Sequence, residues 1–331
     1  MTILLTRERL LELFQRAKGK RIAVIGDAML DVYLTGDVER ISPEAPVPVV
    51  RVRQRKYALG GAANVAQNVV AIGARCDLVA VVGADRGGAI VAEMLRAIGE
   101  DGRSLLVVDR ETTQKTRIVA RSQQLARVDE ESDADLLGDD VERVIVCARA
   151  AIDGADALIL EDYNKGLLVP AVISAAMDAA RARGIPVVVD PKYRNFFLYA
   201  GATIFKPNRR ELEAAGGAAV DLEHSHALPA LVARLGVDHL LLTRGEHGMV
   251  LFSAERELAR IPTVAREVYD VVGAGDTVSA YLASMLAAGA SPVESAVIAN
   301  VAAGIEVGKL GAATVTPDEL LAYVDAHALH A

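Results

Sequence analysis

Residues 270 to 289 read DVVGAGDTVSAYLASMLAAG. Val278, Tyr281, Leu282, Met285 and Leu286 recur at i, i+3, i+4, i+7 and i+8, a spacing that predicts a buried helix face. At its entrance stand Gly273, Ala274, Gly275 and Asp276. Amides in the first turn of a helix have no partner within it, and the helix dipole adds partial positive charge there. Three residues with almost no side chain would let a phosphate come against that backbone. Taken alone, Asp276 reads as a favourable acid near a helix start. Beside a hole that binds phosphoryl oxygens it can instead accept a hydroxyl proton as that hydroxyl attacks phosphorus. The chemistry implied is phosphoryl transfer to an alcohol. The loop does not match GxxxxGK[ST], nor is it a GxGxxG fingerprint following a first strand.

The elements that must carry this loop follow a rhythm of short β-branched runs and longer helical patterns, the signature of a mostly parallel sheet covered by helices. The predicted strands are 21–25, 78–82, 104–108, 157–160, 186–189, 203–205 and 239–242. The expectation is a three-layer α/β fold with a Rossmann-like sheet, in a single domain spanning 1–331. Two stretches break the rhythm. Residues 32–58 carry Pro43, Pro46 and Pro48 and the alternating VPVVRVRQRKY, and 112–128 is a second extended, basic stretch. Both are predicted as strands outside the main sheet, forming a small lid, and their exposed edges predict pairing with a second copy as a homodimer.

The 331 residues are 52% hydrophobic, ample for a large core, and carry a formal charge of -8, which argues against nucleic-acid partners and a basic membrane-surface role. Arg7, Glu8 and Arg9 stand where an export signal would be apolar, and the uncharged run 277–293 is broken by Gly289, Ser291 and Pro292. It reads as core helix plus turn. Cys76 and Cys147 show no paired spacing, so neither a zinc site nor a disulfide framework is expected, and a cytoplasmic location fits. His224, His226, His239, His247, His327 and His330 read as solvated surface residues rather than metal ligands.

DVVGAGDT resembles the C-terminal signature of the ribokinase-like (PfkB-type) sugar kinases. Two further stretches share the resemblance: GGAANVA at 60–66 looks like that family's GG-x-x-x-N-x-A element, and GDAMLDVY at 26–33 its G-D/N-x-x-x-D pattern. The resemblance implies Asp276 as catalytic base with Gly273, Ala274 and Gly275 as oxyanion donors. It implies that Asp31, Asn64, Gly60 and Gly61 hold sugar hydroxyls. Asn208 and Glu211 in KPNRRE match an N-x-x-E element that organises Mg²⁺ and its waters near the ATP phosphates. Thr243, Gly245 and Gly248 in TRGEHG match a nucleotide loop, and Asn300 falls where the family borders the adenine. Many members carry threonine where Val272 stands, and some bind a monovalent cation through loop carbonyls nearby.

RISPEAPVPVV at 40–50, RSQQLARVD at 121–129 and DYNKG at 162–166 give a narrower resemblance, to the heptose 7-phosphate kinases of lipopolysaccharide core biosynthesis. These transfer the γ-phosphoryl group of ATP to the anomeric O1 of D-glycero-D-manno-heptose 7-phosphate. Some fuse a nucleotidyltransferase behind the kinase; with no H-x-G-H motif, a kinase alone is expected here. A substrate phosphate calls for Arg or Lys. Arg117, Arg121 and Arg127 on the second lid stretch, with Gln123 and Gln124, and Lys165 and Lys192 after strands are the candidates. Arg51, Arg53 and Arg55 alternate as an outward strand face does. Asp190-Pro191-Lys192 follows a strand end, where α/β sheets place ligands, or forms a simple turn. A kinase for another sugar, sugar phosphate or nucleoside, and a catalytically silent sugar- or nucleotide-binding regulator, remain alternatives to the heptose reading.

Overall fold

The computed structural model describes residues 5–120, 123–216, 227–265, 268–309 and 311–327, so Arg121, His224, His226 and His330 lie outside the described residues. In chain order the elements are α1 (Arg7–Ala17), β1 (Arg21–Gly26), β2 (Ala28–Ile41), β3 (Pro48–Gly61), α2 (Ala62–Ile72), β4 (Arg75–Gly83), α3 (Arg86–Ala97) and β5 (Leu105–Val108). Then come β6 (Gln114–Ala120), β7 (Gln123–Glu130), α4 (Asp139–Asp153), β8 (Ala157–Glu161), α5 (Pro170–Arg183), β9 (Val187–Asp190) and β10 (Ile204–Phe205). The rest are α6 (Arg209–Gly216), α7 (Ala227–Leu235), β11 (His239–Thr243), β12 (Met249–Phe252), β13 (Glu257–Ile261), α8 (Ala274–Ala287), α9 (Pro292–Glu306) and α10 (Pro317–Ala326).

The main sheet has nine strands in the order β13-β12-β11-β10-β9-β8-β1-β4-β5. All seven predicted strands are in it and pair in parallel. The sequence reading did not place β12 and β13, which add an antiparallel hairpin at one edge. Alternate residues of the buried strands feed two cores. In β1, Ile22 and Val24 enter the core shared with α2, α8 and α9, while Ala23 and Ile25 enter the one shared with α4 and α5. A period of two with both faces buried gives the three expected layers.

The two predicted lid stretches form a separate four-stranded sheet, β3-β2-β6-β7, extending a few residues beyond the predicted limits. β2 pairs antiparallel with β3 and parallel with β6, and β6 pairs antiparallel with β7. β2 starts buried at Ala28 and Met29, two residues after β1 ends, so the lid is anchored directly to the main sheet. Every residue of β7 is exposed. Ile41, Val47, Val52, Leu125 and Val128 leave apolar surface open on the lid.

The helix of the 270–289 stretch, α8, is buried along nearly its whole length between the sheet, α2 and α9. Its N-cap is Gly273, at φ 96°, a left-handed conformation that disfavours any side chain. A Cβ there would stand 2.9 Å from Nδ2 of Asn64. α9 and α10 each open on a reciprocal capping box, Ser291 with Glu294 and Thr316 with Glu319, followed by proline. The uncharged run at 277–293 is therefore buried helix and turn, and no helix among the described residues is long and apolar enough to cross a membrane. Cys76 and Cys147 are free thiols. Two histidines differ from the surface reading: Nδ1 of half-buried His239 bonds the Thr203 carbonyl, and His327 stacks on Tyr323.

Candidate active site

Asp276 lies in the first turn of α8, 4% exposed, and is not the capping residue. Its Oδ2 accepts from Asn64 Nδ2 at 2.7 Å and its Oδ1 from the Tyr163 hydroxyl at 2.7 Å. A helix start favours the ionised form of such a carboxylate. Burial outweighs the dipole and pushes the pKa up to about 6, with the two hydrogen bonds opposing. It remains largely ionised at neutral pH, which proton acceptance from an alcohol requires.

Around it the ends of the parallel strands converge, where α/β sheets place ligands. β8 ends at Glu161, fully buried with neither carboxylate oxygen hydrogen-bonded. Burial and then the charges of Asp190 and Asp276 push Glu161 well above the carboxylate range. β9 ends at Asp190, whose Oδ2 accepts from Lys206 Nζ at 2.7 Å, both groups being buried. Lys206 is thus the cation set among three acids.

On the lid side, Asp31 is buried and paired with Arg117, whose guanidinium also lies 5.4 Å from the Tyr33 ring centre. A Cβ on Gly60 would meet Oδ2 of Asp31 at 2.9 Å, so the first glycine of the 60–66 element is required by close approach. Asp31, Gly60, Gly61, Asn64 and Asp276 therefore gather where the lid joins the main sheet, as the sequence reading groups them. The basic candidates are less free than their sequence positions suggest. Lys165 is bound to Glu131 at 2.8 Å and Asp133 at 2.6 Å, and Arg127 is held by both oxygens of Asp129 at 2.9 Å on exposed β7. Gln123 pairs with Ala120 and Gln124 with Val119, so the two glutamines point to opposite faces of the lid and only one can face a common ligand.

Beyond Asp276 opens a cavity of about 620 Å³. Ala274 and Gly275 of the helix entrance line it together with Asn208, Glu211, Thr243, Gly245, Gly248 and Asn300, the complete predicted nucleotide set. Lys192 and Lys206 supply positive charge to one wall, and Met249, Val268, Val271, Val278 and Val307 supply apolar surface. Lys192, expected at the substrate phosphate, lies in this cavity paired with Glu211. Asn208 and Glu211 bond each other reciprocally, Glu211 N to Asn208 Oδ1 at 2.9 Å and Asn208 N to Glu211 Oε2 at 2.8 Å. They form the capping box of α6 as well as part of the cavity wall. Asn300 Nδ2 donates to the Pro262 carbonyl at 2.9 Å.

Sequence reasoning missed Tyr163, Asp27, Glu161 and Lys206 as members of this region. Asp27 accepts from the backbone amides of Tyr163, Lys165 and Leu167 at 2.9, 3.0 and 3.2 Å, fixing the turn after β8. Asp27 and Tyr163 stand inside the GDAMLDVY and DYNKG stretches but received no role there; for Glu161 and Lys206 the only sequence signal was position, at or just after the C-terminal end of a strand in the sheet.

Over residues 20–319 the chain matches the pfkB family carbohydrate kinase model. It is 48% identical over 321 residues to the bifunctional protein HldE of Pelobacter propionicus, covering 95% of this chain and 65% of that one. It is 46% identical to HldE of Citrifermentans bemidjiense, covering 94% and 64%, and 46% identical to HldE of Rhodospirillum rubrum, covering 92% and 62%. The chain thus spans just under two thirds of the length of these relatives. Among solved structures, ribokinase from Thermotoga maritima matches with a TM-score of 0.70 at 21% identity, covering 92% of this chain and 99% of that one. Phosphofructokinase-2 from Escherichia coli matches with 0.75 at 18%, covering 93% and 99%.

Proposed function

The chain belongs to the pfkB family of carbohydrate kinases, and on that premise we propose that it phosphorylates D-glycero-D-manno-heptose 7-phosphate at its anomeric O1 with ATP. The product is the 1,7-bisphosphate, a step toward ADP-heptose and the lipopolysaccharide core. The observation that carries the kinase chemistry is the buried carboxylate of Asp276, held between Asn64 and Tyr163 beside the 620 Å³ cavity. The heptose assignment is supported by the lid sequences at 40–50 and 121–129, and by 46–48% identity to proteins called HldE. The 331 residues are read as one kinase domain acting in the cytoplasm.

In this reading Asp31, Asn64 and the Gly60-Gly61 backbone orient the sugar so that O1 faces Asp276. Asp276 takes the O1 proton as the oxygen attacks the γ-phosphorus, and the amides of Gly273, Ala274 and Gly275 hold the phosphoryl oxygens. The sugar phosphate lies toward the lid, with Arg117, Arg127 and Lys165 as candidates to exchange their acid partners for it and one of the two glutamines as a further donor. Among the described residues no three His, Cys, Asp or Glu side chains come together as a metal site. Asn208 and Glu211 are the residues that would hold Mg²⁺, through water because the Glu211 carboxylate is already taken up by Lys192 and the Asn208 amide, and the ion would neutralise charge on the transferring group. Glu306 is fully buried with neither oxygen hydrogen-bonded, and its Oε1 stands 3.3 Å from where a Cβ on Gly273 would lie. It is the group that fits a monovalent cation beside the helix entrance.

ADP release with a panel of acceptors tests the proposal. Heptose 7-phosphate is expected to turn over well, ribose, fructose 6-phosphate and nucleosides poorly, and chelation of Mg²⁺ should stop the reaction. Equal or better turnover of another acceptor would reject the heptose reading.

We also propose a homodimer joined through the lids. β7 presents an open edge, Ile41, Val52, Leu125 and Val128 expose apolar surface on the same sheet, and Val47 does so in the turn between β2 and β3. Sedimentation at micromolar concentration should give a dimer, and a monomer at every concentration tested would exclude it.

A further inference from the structure

We propose that Tyr163 is a positioning residue for the phosphoryl-transfer step, its phenol O–H donating to Oδ1 of Asp276 so that the base stays ionised and fixed in orientation. The inference rests on the reading of Asp276 as base. Three observations carry it. The hydroxyl lies 2.7 Å from Oδ1 while Asn64 Nδ2 lies 2.7 Å from Oδ2, so each oxygen is held by one donor and the carboxylate cannot turn. Tyr163 is itself fixed, because Asp27 binds its backbone amide and those of Lys165 and Leu167. Its ring lines the nucleotide cavity beneath the Lys192 ammonium, 5.0 Å from the ring centre, so one side chain touches both the base and the wall behind which ATP would lie.

The charges around this pair make the donation consequential. Glu161 from β8, Asp190 from β9 and Glu306 from α9 are acids near Asp276, and Lys206 after β10 opposes them. Lys192, paired with Glu211, covers the phenol ring. A further negative charge among three acids in a buried setting is disfavoured, and a donor to the ionised form is what counters it. Burial, and then the charges of Asp276 and Glu161, push the phenol well above its ordinary range, so it remains a donor throughout the working pH.

Tyr163→Phe keeps the ring beneath Lys192 and removes only the donor. The acid limb of its kcat profile is expected to move up by about one to two pH units, since a hydrogen bond to a charged group is of that strength. Glu161 and Glu306 are present in both enzymes, so the difference between the two profiles reports the loss of the Tyr163 donor at the carboxylate cluster. A limb that stays at the wild-type pH, whatever the plateau rate, would reduce Tyr163 to packing and overturn the proposal. 3-Fluorotyrosine at position 163 keeps the shape and donates more strongly, so its limb should move down; no movement, or upward movement, counts against the proposal even if the phenylalanine variant fails to fold. Asp276→Asn separates the two ideas. If that variant keeps its turnover the base reading fails, whereas if it is inactive and the Tyr163→Phe limb has not moved, only the role of Tyr163 fails.

Discussion

Turnover of the Asp276→Asn variant is expected to fall by ~10² to 10⁴, the usual contribution of a positioned general base, with ATP affinity little changed. The amide keeps the volume of the carboxylate but has no basic lone pair for the O1 proton. The structure sharpens this test. Had Asp276 been the N-cap of α8, asparagine would have replaced it without loss, but Gly273 is the N-cap and no side chain caps the helix. Both carboxylate oxygens point instead to Asn64 and Tyr163, so asparagine also loses one acceptor. Wild-type activity should decline as pH falls through about 6, where burial places the protonation of Asp276. The measurement is ADP release with heptose 7-phosphate from pH 5 to 8. Near-wild-type turnover of the variant would reject the proposed chemistry.

Lys206→Met is expected to destabilise the fold by about 3–5 kcal/mol, the cost of leaving a buried charge without its partner. The side chains of Lys206 and Asp190 are 3% and 9% exposed, and they meet at 2.7 Å. Glu161 and Asp276 face the same ammonium, so its loss strands three acids together. Thermal unfolding should show a fall in Tm on the order of 10 °C. Removing the opposing carboxylate as well, with Asp190→Leu in the same chain, should recover much of the loss, because an apolar pair of similar volume tolerates burial. A single variant melting within a degree of wild type would show that the pair contributes no stability.

Much of the molecule was legible in its sequence because the relevant signals are local. The alternation of β-branched runs with helical periods placed all seven predicted strands in the main sheet. The prolines and period-two pattern of 32–58 marked a stretch that could not join it. The hairpin of β12 and β13 escaped because Met249–Phe252 and Glu257–Ile261 are short runs around a polar turn and lie outside the β/α rhythm. The residues that the resemblance assigns to a nucleotide, Asn208, Glu211, Thr243, Gly245, Gly248 and Asn300, are far apart in sequence yet line one cavity.

The sequence by itself determined the layered α/β architecture, the small-residue entrance of α8 and the acid that stands in it, since periodicity and residue size act over a few neighbours. Only the tertiary structure decided what each charge is worth. Arg117 reads as a phosphate ligand until Asp31, 86 residues earlier, is found beside it. Lys165 reads likewise until Glu131 and Asp133 fold against it. Tyr163 looks like an aromatic at a strand end until α8 brings Asp276 to its hydroxyl from 113 residues away. Asp276 itself sits at a helix start, which favours its ionised form, yet burial raises its pKa. Desolvation and ion pairing depend on which distant groups share a volume, and that is fixed by the packing of sheet, lid and helices, not by the spacing of residues along the chain.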